Sequence, residues 1–105
     1  ANALVSQTDN AKVKGFVASS TGRAYERFGE PQEALKSYSS AVQNYTKADS
    51  PLKVAQNYVS AADIMLEYNS KEKARGLLTK AQKFAQKTDD VNLMNEINNR
   101  LSQLS

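Results

Sequence analysis

GRAYERFGEPQEALKSYSSA, residues 22–41, sets small residues at Gly22, Ala34 and Ala41 among the aromatics Tyr25, Phe28 and Tyr38. Two readings fit. One is an ordinary helical hairpin. The other is a repeat unit whose small residues let helices pack closely. Gly29 supplies a left-handed stop for the first helix. Glu30-Pro31 opens the second, with proline in the first turn, where its missing N–H costs nothing.

Working outward, a shift of 40 residues superimposes like on like. Gly22 falls on Ala62, Ala34 on Ala74, Ala41 on Ala81, Tyr25 on Met65, Phe28 on Tyr68 and Tyr38 on Leu78. Asp9, Asp49 and Asp89 share the spacing, and each precedes an amphipathic run, as a helix N-cap does. A repeat at such a period points to a repeat architecture. Helices are expected over 10–28, 31–47, 51–68, 71–87 and 90–104, with Asn69-Ser70 as a turn and Asp89-Asp90 capping the last. Residues 1–8 read as the end of a preceding helix. The small residues mark close helix crossings, and Tyr25, Phe28, Tyr38, Tyr58, Met65, Tyr68 and Leu78 are expected to fill the space between helices.

Composition narrows the function. The 105 residues hold four Gly, two Pro, no Cys and no His, with a formal charge of +3. Without Cys or His there is no disulfide, thiolate metal site, cysteine nucleophile or imidazole base. No carboxylate cluster, EF-hand loop, phosphate loop or nucleotide fingerprint occurs. A non-enzymatic chain needing no cofactor or metal is expected. No apolar run reaches the length of a membrane span, and no signal peptide is present. The lack of cysteine fits either side of a cell membrane, with a cytoplasmic setting as the working expectation.

The pattern Gly22-x2-Tyr25, Ala34-x3-Tyr38, Ala41, followed by Tyr58-x2-Ala61-Ala62-x2-Met65, Ala74-x3-Leu78, Ala81, resembles the tetratricopeptide repeat (TPR). The resemblance spans about residues 10–88. It implies an all-α fold of antiparallel helical hairpin repeats, a TPR-like α-solenoid over 1–105. Repeat one covers 10–48 and repeat two 50–88; residues 90–104 form a capping helix or the first helix of a third unit. The 40-residue period exceeds the family's usual length, which implies a longer second helix in each unit. Ala18 and the delayed Pro51 also depart from the pattern.

In such arrays the first helices line a concave groove that binds a peptide or helix of a partner protein. By register the groove residues are Phe16, Ser19, Ser20, Arg23 and Arg27, with Gln56, Val59, Ser60, Asp63 and Leu66, and Asn99 and Arg100 from the last helix. The version that clamps a chaperone's C-terminal carboxylate is rejected. Its positions are occupied by Ser19, Arg23, Ser60, Glu96 and Arg100, and only Arg100 agrees. The alternative to a groove is the basic run 71–87, where Lys80, Lys83 and Lys87 are expected on one helix face as a surface for nucleic acid or another anion. Nucleic acid is disfavoured because no exposed aromatic is expected among these lysines. A third reading is a structural spacer. Residues 93–104 carry an apolar stripe, Leu93, Met94, Ile97, Leu101 and Leu104, opposite a polar face suited to capping. The ends together read as a cut from a longer repeat protein, and an exposed apolar edge at the N-terminal unit would favour self-association.

Overall fold

The fold is given by a computed structural model in which residues 7–68 and 70–104 are described. They form α1 (Gln7–Arg27), α2 (Pro31–Lys47), α3 (Pro51–Glu67), α4 (Lys71–Ala85) and α5 (Val91–Gln103), with no strand among the described residues. Each helix packs mainly on its chain neighbours, which spreads the molecule over 53 × 33 × 18 Å. No helix among the described residues is long and apolar enough to cross a membrane.

Three of the four corners reuse one backbone device. Glu30 N–H donates to Tyr25 O (2.8 Å), Ser50 N–H to Tyr45 O (3.0 Å) and Ser70 N–H to Met65 O (2.8 Å). In the first two, Gly29 and Asp49 sit at φ 75° and 55° and donate to Glu26 O and Thr46 O. That is the Schellman pairing, which satisfies two carbonyls at the end of the outgoing helix. The same Glu30, Ser50 and Ser70 begin the next helix, with closely similar φ/ψ of −112/75°, −116/79° and −98/69°. None of the three makes a side-chain cap. Pro31 and Pro51 follow at the first helical position. The corners thus recur every 20 residues.

The fourth corner differs. α4 stops at Ala85, two residues short of the expectation. Thr88 Oγ1 donates to Ala85 O (2.7 Å), Asp90 N–H to Thr88 Oγ1 (3.2 Å), and Leu93 N–H to Asp90 Oδ1 (3.0 Å). Asp90 is therefore a true side-chain N-cap. The expected caps at Asp9, Asp49 and Asp89 are corrected accordingly. Asp9 lies inside the first turn of α1, Asp49 is the left-handed residue after α2, and of the pair Asp89-Asp90 expected to cap α5 it is Asp90 that does so. The assignment of 1–8 to a preceding helix fails at Gln7 and Thr8, which belong to α1; residues 1–6 lie outside the described residues. The extra length is not confined to second helices either, since α1 has 21 residues against 17 in α2.

The small residues lie where close crossings require them. Ala34, Ala41, Ala62, Ala74 and Ala81 are fully buried. A Cβ on Gly22 would stand 2.9 Å from Tyr38 Cε1, and one on Gly15 would stand 3.0 Å from the Tyr45 ring. Ala55, Leu78, Ala85, Leu93 and Ile97 make the main core of α3, α4 and α5, with Met94 and Leu101 packed against it. Tyr38 and Leu78 are buried, and Tyr25, Tyr58 and Met65 are partly buried. Phe28 and Tyr68, expected inside, are 81% and 56% exposed. Each directly follows the last residue of its helix, at the corner; Tyr68 there borders a small recess with Glu26 and Pro31 rather than packing between helices.

Candidate functional site

α1 and α3 present two facing stripes. Phe16, Ser19 and Arg23 recur on α1 at three- and four-residue steps, and Lys53, Gln56, Asn57 and Ser60 do the same on α3. With Tyr45 of α2 between them they line a cavity of about 250 Å³. The Tyr45 ring lies against Gly15 of α1. Phe16 is 63% exposed, and Arg23, Lys53 and Gln56 are also exposed at the rim. Ser19 and Asn57 are buried in the floor.

The floor has one unusual feature. Asn57 Nδ2 donates back to Lys53 O at 2.8 Å, which fixes the amide with its oxygen turned away from that carbonyl. Asn57 Oδ1 is buried and accepts no hydrogen bond among the described residues. An acceptor left in this state costs about 1–3 kcal/mol. Deeper in, the Tyr38 hydroxyl donates to Glu26. Burial, then that hydrogen bond, raises the Tyr38 phenol pKa well above its usual value, and Arg23 opposes the shift. Burial likewise raises the Tyr45 phenol pKa, again against Arg23. Arg23 and Tyr45 share the lining of the cavity. Neither Arg23 nor Lys53 makes an ion pair among the described residues.

Five of the twelve expected groove residues meet in this cavity: Phe16, Ser19, Arg23, Gln56 and Ser60. Ser20, Arg27 and Asn99 are exposed but lie outside its lining. Val59 is buried in the α3–α4–α5 core, and Leu66 packs against the same core. Asp63 and Arg100 hold each other: Nε donates to Oδ1 at 2.7 Å and Nη2 to Oδ2 at 3.1 Å. This two-pronged pair ties α5 to α3 and raises the Arg100 pKa further. It leaves neither charge free for a ligand. Lys53, Asn57 and Tyr45 were not expected. Lys53 and Asn57 lie on the same stripe as Gln56 and Ser60, so extending that stripe by one turn finds them. Tyr45 comes from a second helix and carries no such signal.

Of the basic face, Lys80 and Lys83 lie on α4, whereas Lys87 lies in the turn beyond it, so the three do not share one helix face. Aromatic rings do accompany them. Lys87 Nζ is 5.1 Å from the Phe84 centroid and Lys80 Nζ is 6.0 Å from that of Tyr58. Both rings are partly buried and stand 6.0 Å from each other. A larger recess of about 320 Å³ opens between α2 and α4, walled by Leu35, Val42 and Leu77 over Tyr58 and Met65. No group of three or more potential metal-binding side chains occurs among the described residues.

No family model, curated protein or solved structure matches this chain.

Proposed function

We propose that this chain is a non-enzymatic protein-interaction module of the tetratricopeptide type, an array of helical hairpins whose α1–α3 groove receives an extended peptide or helix of a partner protein. The observation that carries this reading is the pair of facing stripes, Phe16–Ser19–Arg23 and Lys53–Gln56–Ser60, around one open polar cavity. The corner device repeated every 20 residues supports the repeat character. Repeat arrays gain function from extended surfaces of this sort. The anionic-surface reading through Lys80, Lys83 and Lys87 is weaker, because two of these ammonium groups already sit over aromatic rings and Lys87 is off the helix.

The test is affinity capture with mass spectrometry from a lysate of the source organism, comparing the wild type with a Phe16→Glu/Gln56→Arg double variant. Both positions are exposed, so the variant should keep its circular dichroism spectrum. A protein retained by the wild type and lost by the variant supports the groove. Equal capture moves the site elsewhere, and a Lys80→Glu/Lys83→Glu variant then tests the basic face.

A further inference from the structure

The 40-residue register shows which face of each helix a neighbour covers. In α3, Asn57, Ala61 and Ile64 are buried, and Ala61 and Ile64 pack with Ala34 and Tyr38 of α2. Forty residues on, Ile97, Leu101 and Leu104, on α5 and at its end, pack in the core that holds Leu78 and Ala81 of α4. Forty residues back, the same positions are Val17, Thr21 and Ala24 of α1, and all three are exposed. Among the described residues no helix covers this face. It is also apolar. Val13, Val17 and Phe28 are 61%, 56% and 81% exposed, and the helical path reaches Phe28, whose N–H donates to Ala24 O at 3.1 Å.

The other outer helix is different. The positions by which α1 meets α2 are Gly15, Ser19 and Gly22, and their equivalents in α3 are Ala55, Val59 and Ala62; all six are buried. In α5 these positions are Asn95, Asn99 and Ser102, all exposed. The stack thus presents an apolar face at α1 and a polar one at α5. A head-to-tail contact would set valines on asparagines and desolvate the amides. A two-fold contact sets the apolar face on its own like and closes as a dimer. Val13, Val17, Ser20, Ala24 and Phe28 follow one another at steps of four, three, four and four, which is the seam of a two-helix pair. The seam is self-complementary when reversed. Turned antiparallel about Ser20-Thr21, it brings Val13 level with Phe28 of the second copy, Val17 level with Ala24, and Lys12 near the level of Glu30. A parallel pair would instead set Lys14 beside Lys14 and Arg27 beside Arg27.

We propose that this chain forms a two-fold dimer through the outer face of α1, with Val13, Val17, Ala24 and Phe28 packed antiparallel on the same residues of a second copy. The groove stripe of Phe16, Ser19 and Arg23 is a separate one on the same helix. The 21 residues of α1 give a contact about 30 Å long. One helix pair is a small interface, so the dimer dissociates at ~10–100 µM.

The experiment is sedimentation equilibrium of the whole chain from about 5 to about 500 µM, followed by cross-linking. The expected result is a monomer–dimer equilibrium and a thermal midpoint that rises with concentration. Val17→Glu, at an exposed position, should keep the circular dichroism spectrum and weaken the dimer about tenfold or more. Asn95→Glu, on the polar face of α5, should leave it unchanged. The chain has no cysteine, so an introduced one reports a single contact. Ser20→Cys, next to the two-fold axis, should form a disulfide-linked dimer on oxidation. Val13→Cys should not do so alone, because antiparallel helices hold the two copies of that residue far apart; mixed with Phe28→Cys it should. A monomer throughout the range would overturn the proposal and leave the α1 face to a helix of another protein. A dimer indifferent to Val17→Glu would overturn it in favour of another surface, and one lost on Asn95→Glu in favour of head-to-tail contacts. Self-linking of Val13→Cys without linking to Phe28→Cys would overturn the antiparallel arrangement.

Discussion

α1 and α3 occupy equivalent places in the 40-residue pattern, yet they are held in different ways. α3 lies between α2 and α4 and buries Val54, Ala55, Val59, Ala61, Ala62 and Ile64 along several faces. α1 packs mainly on α2. It buries a single stripe of small residues, Ala11, Gly15, Ser19 and Gly22, and leaves Val13, Phe16 and Val17 more than half exposed. Small residues contribute little apolar area of their own. The attachment of α1 therefore depends on two tyrosine rings lying flat against Gly15 and Gly22. One register in the sequence gives two helices; the neighbours decide how firmly each is held.

The largest test of this contrast is Tyr38→Ala. The ring is 1% exposed, and removing a buried aromatic costs about 3–5 kcal/mol. Its loss should deprotect α1 most and loosen the contact of α2 with Ala61 and Ile64 of α3, while α4 and α5 stay protected in hydrogen exchange. Leu78→Ala, costing about 2–5 kcal/mol in the α3–α4–α5 core, should instead deprotect α3 to α5. Uniform deprotection by both variants would break the comparison. Next in size is Gly22→Leu, where the added side chain starts 2.9 Å from the Tyr38 ring. Overpacking of this kind costs on the order of 1–3 kcal/mol. Exchange should rise in α1 and the lower thermal midpoint should follow from that helix. An unchanged midpoint would mean that α1 adds little to global stability.

The helices, the two proline corners and the small-residue crossings were legible from the sequence because each follows from local rules. Gly29 had to be left-handed, Pro31 and Pro51 had to lie in a first turn, and Gly22 had to sit under something large. The 20-residue corner period was harder to see, because Gly29 and Asp49 reach the same backbone conformation with different side chains and no side chain caps the helix that follows. The groove was half legible. Register brought Phe16, Ser19, Arg23, Gln56 and Ser60 to one cavity, since one helical stripe is a one-dimensional fact. Register could not show that Arg100 reaches Asp63 across 37 positions and removes both from the groove. Nor could it show that Phe28 and Tyr68 stay exposed at the corners, or that Tyr45 crosses from another element. Those depend on where helices lie relative to one another.

A third test uses pH. The Tyr38 and Tyr45 phenols have raised pKa values, chiefly through burial. Below the ordinary tyrosine value of about 10 both are protonated in the folded and unfolded chain, and their contribution is intact. Above it the unfolded chain loses protons that the folded one keeps, so stability falls as pH rises. Each tyrosine contributes up to ~1.4 kcal/mol per pH unit until its folded value is reached. Because both rings lie on the α1–α2 interface, exchange in α1 should rise first as the solution is made alkaline. Tyr38→Phe should flatten that dependence, although it also removes the hydrogen bond to Glu26 and starts from a lower stability. A slope unchanged in Tyr38→Phe/Tyr45→Phe would assign the alkaline transition to other groups.

The smallest effect separates the corner that ends α1 from the one that begins α3. Both need a left-handed residue; the first has Gly29 and the second has Asp49, at φ 75° and 55°. A Cβ in that region is strained, and glycine relieves the strain at the cost of a more flexible unfolded chain. Asp49→Gly should therefore stabilise by ~0.5 kcal/mol, and Gly29→Asp should destabilise by a comparable amount, since nothing lies within 4 Å of a Cβ there and only the backbone term changes. Denaturant midpoints at constant m-value would read both. Opposite signs of similar size would mean that the two corners are one device with interchangeable residues. If Asp49→Gly destabilises instead, the aspartate side chain contributes to the entry into α3, and the two corners are not equivalent.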